Sequence, residues 1–353
     1  MKTKLFILAF TLFASLNLMA QTSGTCGENL TWTIEDSVLT ISGTGTMEKG
    51  SWGDRFNSVV INEGATNIVF SAFYRCSSLK SVTIPNSVTS IGGYAFFDCT
   101  RLSEVILPNS VISVGYATFS GCLGITSPVY NSHIFAFLPI SYSGTYTIPD
   151  GIESIEPTAF KVCRNLTAIT IPNSVTSIRE EAFNGCSGLN SISIPDSVTS
   201  IGEWAFCGCS SLTSITIPNG VTCIRRATFY GCTSLSSVIL PKNVSKIEEE
   251  AFYNCENLSI FKNFATIPAT IYSSTFDGVN KFSCTLYVPN ESVDMYKSAS
   301  GWRDFYNIQG FDAHSSIENV IEDSAPSKLY HNGKLYILLP NGTRFDATGK
   351  KVE

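Results

Sequence analysis

The chain has 353 residues, 44% apolar and only 15% charged, a balance that excludes a disordered polymer. Its formal charge is −6, and an acidic chain lacks the basic surface that non-specific nucleic-acid binding needs. Chains of this length ordinarily divide into two or three globular domains, an expectation that the internal repeats below override.

Residues 1–20 read as a secretory signal peptide. Lys2 and Lys4 form a basic start, Leu5 to Leu18 is a short apolar stretch, and Leu18-Met19-Ala20 supplies small-residue cleavage chemistry before Gln21. The stretch is too short for a membrane span, and no later one approaches spanning length. Gln21 rather than Cys at the first mature position argues against a lipid anchor. Removing the peptide leaves 21 basic residues against 29 acidic ones, so the exported chain carries 21 − 29 = −8.

Residues 21–58 form the expected N-terminal β cap. Leu30 to Ile34 and Val38 to Ile41 alternate in polarity around Glu35-Asp36-Ser37, the pattern of a hairpin. Residues 59–285 then repeat. Stretches beginning at Leu79, Leu102, Leu166, Leu189, Leu212 and Leu235 follow L-x-x-[VI]-x-[IL]-P-[ND]-S-V-x-x-I-x-x-x-A-F-x-G-C with small departures, and with a spacing of 23 residues in each unbroken run. The Phe column is Phe73, Phe96, Phe119, Phe160, Phe183, Phe206, Phe229 and Phe252, and a Cys column lies three residues on, from Cys76 to Cys255. Between Phe119 and Phe160 the gap is 41, or 23 + 18, which marks residues 125–142 as one shortened, divergent coil.

Each repeat has its own physics. In Ser81-Val82-Thr83-Ile84 the period-2 alternation makes a half-buried strand, and Pro85 ends it because it cannot donate to a ladder. Val88 and Ile91 point back inward, and Ala95-Phe96 fills the bend. The residue before each Cys is Gly121, Gly185, Gly208 or Gly231, with Asp98 and Asn254 elsewhere, so a left-handed corner is expected there. Val162 and Arg75 depart from that rule and are expected to mark less regular coils. No coil buries its apolar stripe alone, so stacking supplies the stability.

Residues 286–311 read as the C-terminal cap: a strand ending in Tyr287-Val288-Pro289, a short helix capped by Asn290 and carrying Val293 and Tyr296, then Trp302, Phe305 and Ile308. Residues 312–327 are a polar linker. Residues 328–353 hold two alternating runs around Asn341-Gly342, the signal of a short β-hairpin tail that is either docked or a sorting element. The fold class is thus a repeat solenoid of leucine-rich type, rich in β-strands with short turns and capped at both ends.

These residues resemble the BspA-like leucine-rich-repeat surface proteins of anaerobic bacteria. The shared marks are the IPNSVTSI stretches at 84–91 and 171–178, the A-F-x-x-C columns, the opening Cys26 to Trp32, and the LYVP…Y…GW segment at 286–302. The resemblance covers residues 24–311. It implies a right-handed solenoid, a secreted or cell-surface location, and a role in adhesion to host matrix proteins, host receptors or other bacteria.

Catalytic chemistry has little support in the sequence. Eight of the twelve cysteines fill the repeat column, where Cys is a small buried hydrophobe. Export permits disulfides among Cys26, Cys207, Cys223 and Cys284, but spacing dictates no pairing, and a bridge between Cys207 and Cys223 on neighbouring repeats stays open. His133, His314 and His331 join no triad. Glu180-Glu181 and Glu248-Glu249-Glu250 read as a solvated face. No metal, cofactor or enzymatic activity is expected.

Binding is expected from variation between repeats. The strand's outward face is a flat hydroxyl surface interrupted by Ile106 and Ile239. The positions flanking Ala-Phe vary more, with no specific demand expected from the fold, and five are large aromatics: Tyr94, Phe97, Trp204, Tyr230 and Tyr253. Exposed aromatics dominate binding hot spots, so these five are the candidate partner surface; otherwise they shield the coil edges. The expected function is a non-enzymatic adhesion or recognition protein for extracellular-matrix, receptor or bacterial surface proteins. The alternative is a glycan-capture protein whose rings stack on sugars.

Overall fold

In each 23-residue unit the alternation of Val or Ile with hydroxyl residues produces a short strand that cannot bury its apolar face alone. The computed structural model shows the solution: the strands stack in parallel, one per coil. It describes residues 22–312, together with the backbone of four short strands between 327 and 352. The expected signal peptide and most of the expected linker lie outside the described residues.

A regular coil bonds its neighbour on three sides. On the first, Ala168-Ile169-Thr170 pairs with Ser191–Ser193, and Ser214–Thr216 pairs with Ser237–Leu240, always 23 residues apart. A second side, which the sequence pattern did not announce as strand, carries two-residue strands such as Ser177–Ile178 against Ser200–Ile201. On the third, the Phe183 amide donates to the Ala205 carbonyl (2.7 Å) and the Phe73 amide to that of Ala95 (2.8 Å). Regular coils therefore satisfy much of their backbone through their neighbours.

Inside, the Phe column is a stack of rings. Phe160–Phe183, Phe183–Phe206 and Phe206–Phe229 lie 4.8, 5.2 and 5.5 Å apart with interplanar angles of 17°, 2° and 3°. The Cys column beside it has a polar task as well as an apolar one. Cys186 Sγ donates to the Phe160 carbonyl (2.9 Å) and Cys209 Sγ to that of Phe183 (3.3 Å), so each thiol ties its coil to the preceding one. All twelve cysteines are free. The bridge left open between Cys207 and Cys223 is not formed: Cys207 lies on the bend beside Phe206, whereas Cys223 belongs to the strand Cys223–Ile224 on the second side.

At the front, Asn29–Glu35 and Val38–Thr44 form an antiparallel hairpin whose second strand pairs in parallel with Ser58–Ile61. Trp52 stacks on Phe73 at 5.5 Å and Trp32 meets Trp52 edge-on, closing the Phe column. At the rear, Thr285–Pro289 pairs with Asn307–Phe311 across a helix at Val293–Ser298. Asn290 does not cap that helix. It opens a 3-10 turn, Asn290–Ser292, and Ser292 stands at the helix N-terminus without a side-chain cap bond. Trp302 covers Phe276 at 5.5 Å and donates from Nε1 to the Ala269 carbonyl. In the tail the structure has four antiparallel strands where the sequence suggested a single hairpin; His331 faces Lys334, and Ser327–His331, Lys334–Leu338, Arg344–Asp346 and Lys351–Val352 follow in order.

The divergent coil is a seam. Its strand Ile134–Phe137 is buried throughout and pairs with Ser154–Ile155. Phe135 stacks on Phe160 at 4.7 Å, while Phe137 leans on Phe119 at 6.2 Å and 53°. The buried core divides here into two clusters, Phe135 belonging to the C-terminal one and Phe137 to the N-terminal one. On the second side the ladder is interrupted: Ser113–Val114 closes one sheet, and Ile134–Phe137 belongs to the next. A buried carboxylate fills the break in the ladder: Val114 donates its amide to Glu156 Oε2 (3.0 Å), and Ser154 Oγ and Arg179 hold Oε1.

Candidate functional site: the aromatic bend edge

The bend that buries each Phe must turn the chain sharply on both flanks. All members of the column before Cys have positive φ, including Arg75 (58°) and Val162 (63°), so these two coils are as regular as the rest. A second left-handed column precedes Ala-Phe: Tyr94 (57°), Ala117 (53°), Thr158 (62°), Glu181 (53°), Trp204 (57°), Ala227 (51°) and Glu250 (60°). The expectation that the fold asks nothing specific there is therefore corrected. Non-glycine residues occupy a costly backbone region, and the ladder bonds on either side impose it.

Tyr94, Phe97, Trp204, Tyr230 and Tyr253 all lie on this edge and all are half-buried. The stack sorts them into two groups. In the first, Tyr94 packs against Phe97 (5.4 Å) and against three rings the sequence reading left out: Phe70, Tyr74 and Tyr116. Tyr74 was legible, because it continues the Phe97 column one repeat earlier. Phe70 and Tyr116 sit one residue farther from the bend, where no column drew attention. In the second group Trp204 meets Tyr230 at 5.6 Å, and Tyr230 stacks on Tyr253 at 4.8 Å and 8°.

Between the groups lies the seam, whose Ala136-Phe137 lies in a strand rather than in a left-handed bend. A groove of about 420 Å³ opens there, lined by Tyr94, Phe97, Tyr116, Phe137, Ile140 and Lys161. Two of its lining residues join a polar network: Tyr116 Oη donates to Glu181 Oε1 (2.7 Å), and Lys161 pairs with Glu181 and reaches Tyr116. Burial, then the hydrogen bond to Glu181, pushes the Tyr116 pKa up. Burial opposes the Lys161 charge, but Glu181 and Tyr116 outweigh it, so the ammonium is held protonated.

Elsewhere the chemistry is sparse. His133 faces Glu153 at 3.7 Å on the surface. Among the described residues no three His, Cys, Asp or Glu side chains gather as a metal site, and no helix is long and apolar enough to cross a membrane. On the strand face Ile106 is 72% exposed, and Ser58 and Ser81 hydroxyls meet at 3.0 Å.

Residues 52–149 and 153–283 match a family profile described as BspA type Leucine rich repeat region, in 6 copies. No curated protein matches the chain. Among solved structures it is similar to a leucine-rich repeat protein from Eubacterium ventriosum, with 22% identity, 73% of this chain and 95% of that one covered, and a TM-score of 0.41. It is also similar to a leucine rich cell surface protein from Faecalibacterium prausnitzii (21% identity, 83% and 99% covered, TM-score 0.31). A third is the pneumococcal vaccine antigen PcpA (15% identity, 81% and 96% covered, TM-score 0.46).

Proposed function

Because the chain belongs to the BspA-type leucine-rich-repeat family, we propose that it is a secreted or cell-surface recognition protein whose aromatic bend edge binds a macromolecular partner. The observation that carries this reading is the gathering of variable aromatic residues from separate repeats into two groups on one edge, flanking a groove. Clustered, half-buried Tyr and Trp are the usual anchors of protein interfaces. No catalytic group, metal or cofactor enters the reading. Residues 1–20 serve as the export signal, residues 21–58 and 286–311 as caps, and the tail as a sorting element.

The ring geometry favours a protein partner, such as a matrix, receptor or bacterial surface protein, over a glycan. Sugars stack on open ring faces, but Tyr74 and Phe97 lie parallel at 5.3 Å and 9°, and Tyr230 and Tyr253 likewise cover one another. Rings covered in this way offer their rims and hydroxyls, which suit backbone and side-chain contacts. Binding of the purified chain to immobilised matrix and mucosal proteins and to a glycan array tests this. A saturable protein hit should weaken at least about tenfold in Trp204→Ala and Tyr230→Ala with the melting temperature unchanged. Binding to glycans alone, or a loss of stability in place of a loss of binding, would overturn the reading.

A further inference from the structure

We infer that the C-terminal group of edge rings docks a basic protein segment, with a Lys or Arg side chain seated on Tyr253 beside exposed carboxylates. This rests on the recognition reading and names its partner chemistry. The edge has two kinds of acid. Glu181, Glu248 and Glu250 are neutralised within the chain by Lys161, Lys246 and Arg226. Glu180, Glu203 and Glu249 are exposed, lie in one column immediately before the left-handed residues with Arg226 between the last two, and pair with no cation among the described residues. Asp277 is also exposed, and it occupies in the next coil the place that Tyr253 occupies in its own.

The same edge already pairs rings with cations. Arg226 lies over Trp204 at 5.8 Å, Lys161 over Tyr116 at 5.5 Å and Arg75 over Tyr74 at 5.2 Å. Among the described residues no cation lies over Tyr253. One of its faces is covered by Tyr230, and the other turns toward the coil that carries Asp277. A guanidinium or ammonium group there meets a ring and a carboxylate together, a combination stronger than either alone. Glu203 and Glu249 stand two coils apart, roughly 10 Å at ordinary strand spacing, which matches basic residues three apart in an extended segment. The net negative charge of the chain steers such a partner toward it.

The full chain reports on this site directly, because Trp32, Trp52 and Trp302 are 1%, 2% and 1% exposed and only Trp204 is open to solvent. The probe is a capped glycine peptide with arginine at every third position, titrated while tryptophan emission is followed. A glutamate peptide of the same design is the control. A saturable change that weakens with added salt and falls roughly tenfold in the E203Q/E249Q/D277N variant is the expected result. No saturable change, equal binding of the glutamate peptide, or an unaffected triple variant would each overturn the inference. If the chain binds an array protein through Trp204 and Tyr230 yet ignores the arginine peptide, the recognition reading stands and the basic partner falls.

Discussion

Val162 shows what single residues are made to do. It is β-branched, it holds φ 63°, and its amide is bonded to the Asn184 carbonyl at 2.7 Å. The sequence revealed the corner wherever Gly, Asp or Asn marks it. It did not reveal the corner at Val162 or Arg75, because there the ladder bonds to the next coil override residue preference. Val162→Gly should accordingly raise stability by about 1 kcal/mol, read as a higher urea midpoint; an unchanged or lower midpoint would count against strain at this corner. The column thiols give a second expectation. Burial pushes Cys76, Cys122, Cys163 and Cys255 up to about 12 from 9.0. Folded, they keep their protons; unfolded, they begin to lose them near pH 9. Their stabilising contribution is thus complete below pH 9 and is lost as pH rises toward 12. The urea midpoint should fall steadily between pH 9 and pH 11, and a flat profile would contradict the buried-thiol account.

Among the elements, the regular coils were the most legible, because one alternation and one Pro recur in fixed register. The shortened coil is marked in the sequence by arithmetic: a gap of 41 where 23 was due. Its repair is not. Glu156 and Val114 are 42 residues apart, and nothing local to either announces that a carboxylate will accept the amide an interrupted ladder leaves behind. Nor did the pattern reveal the two-residue strands of the second side, since a pair such as Ser177–Ile178 is too short to show a period. Glu156→Ala should strand the Val114 amide and cost roughly 1–3 kcal/mol. Hydrogen exchange is the local check: amides 113–115 should lose protection while those of Ser214–Thr216 keep theirs, and uniform loss would mean that the seam is not an independent joint.

Over the whole molecule, stability is a sum over neighbouring coils, so regular coils are interchangeable. Excising residues 189–211 joins Gly188 to Leu212 in register and places Phe183 on Phe229. That chain should fold, melt cooperatively and lose only one coil's contribution; an unfolded or aggregated product would show that the coils are individually required. The five candidate rings were visible in the sequence as variable residues, yet their division into two groups was not, because it depends on where the seam falls in the stack.

The seam and the regular coils together make the edge a ruler. Each coil advances the stack by about 4.8 Å, so the coils between Tyr116 and Trp204 fix the interval between the two aromatic groups. Gain or loss of one 23-residue unit would lengthen or shorten that interval by one graduation while leaving both groups intact. Glu156, Lys161 and Glu181 pin the mark from which it is measured. A chain of this kind can be retuned to a partner with differently spaced contacts by changing its length, with no change to any residue that touches the partner.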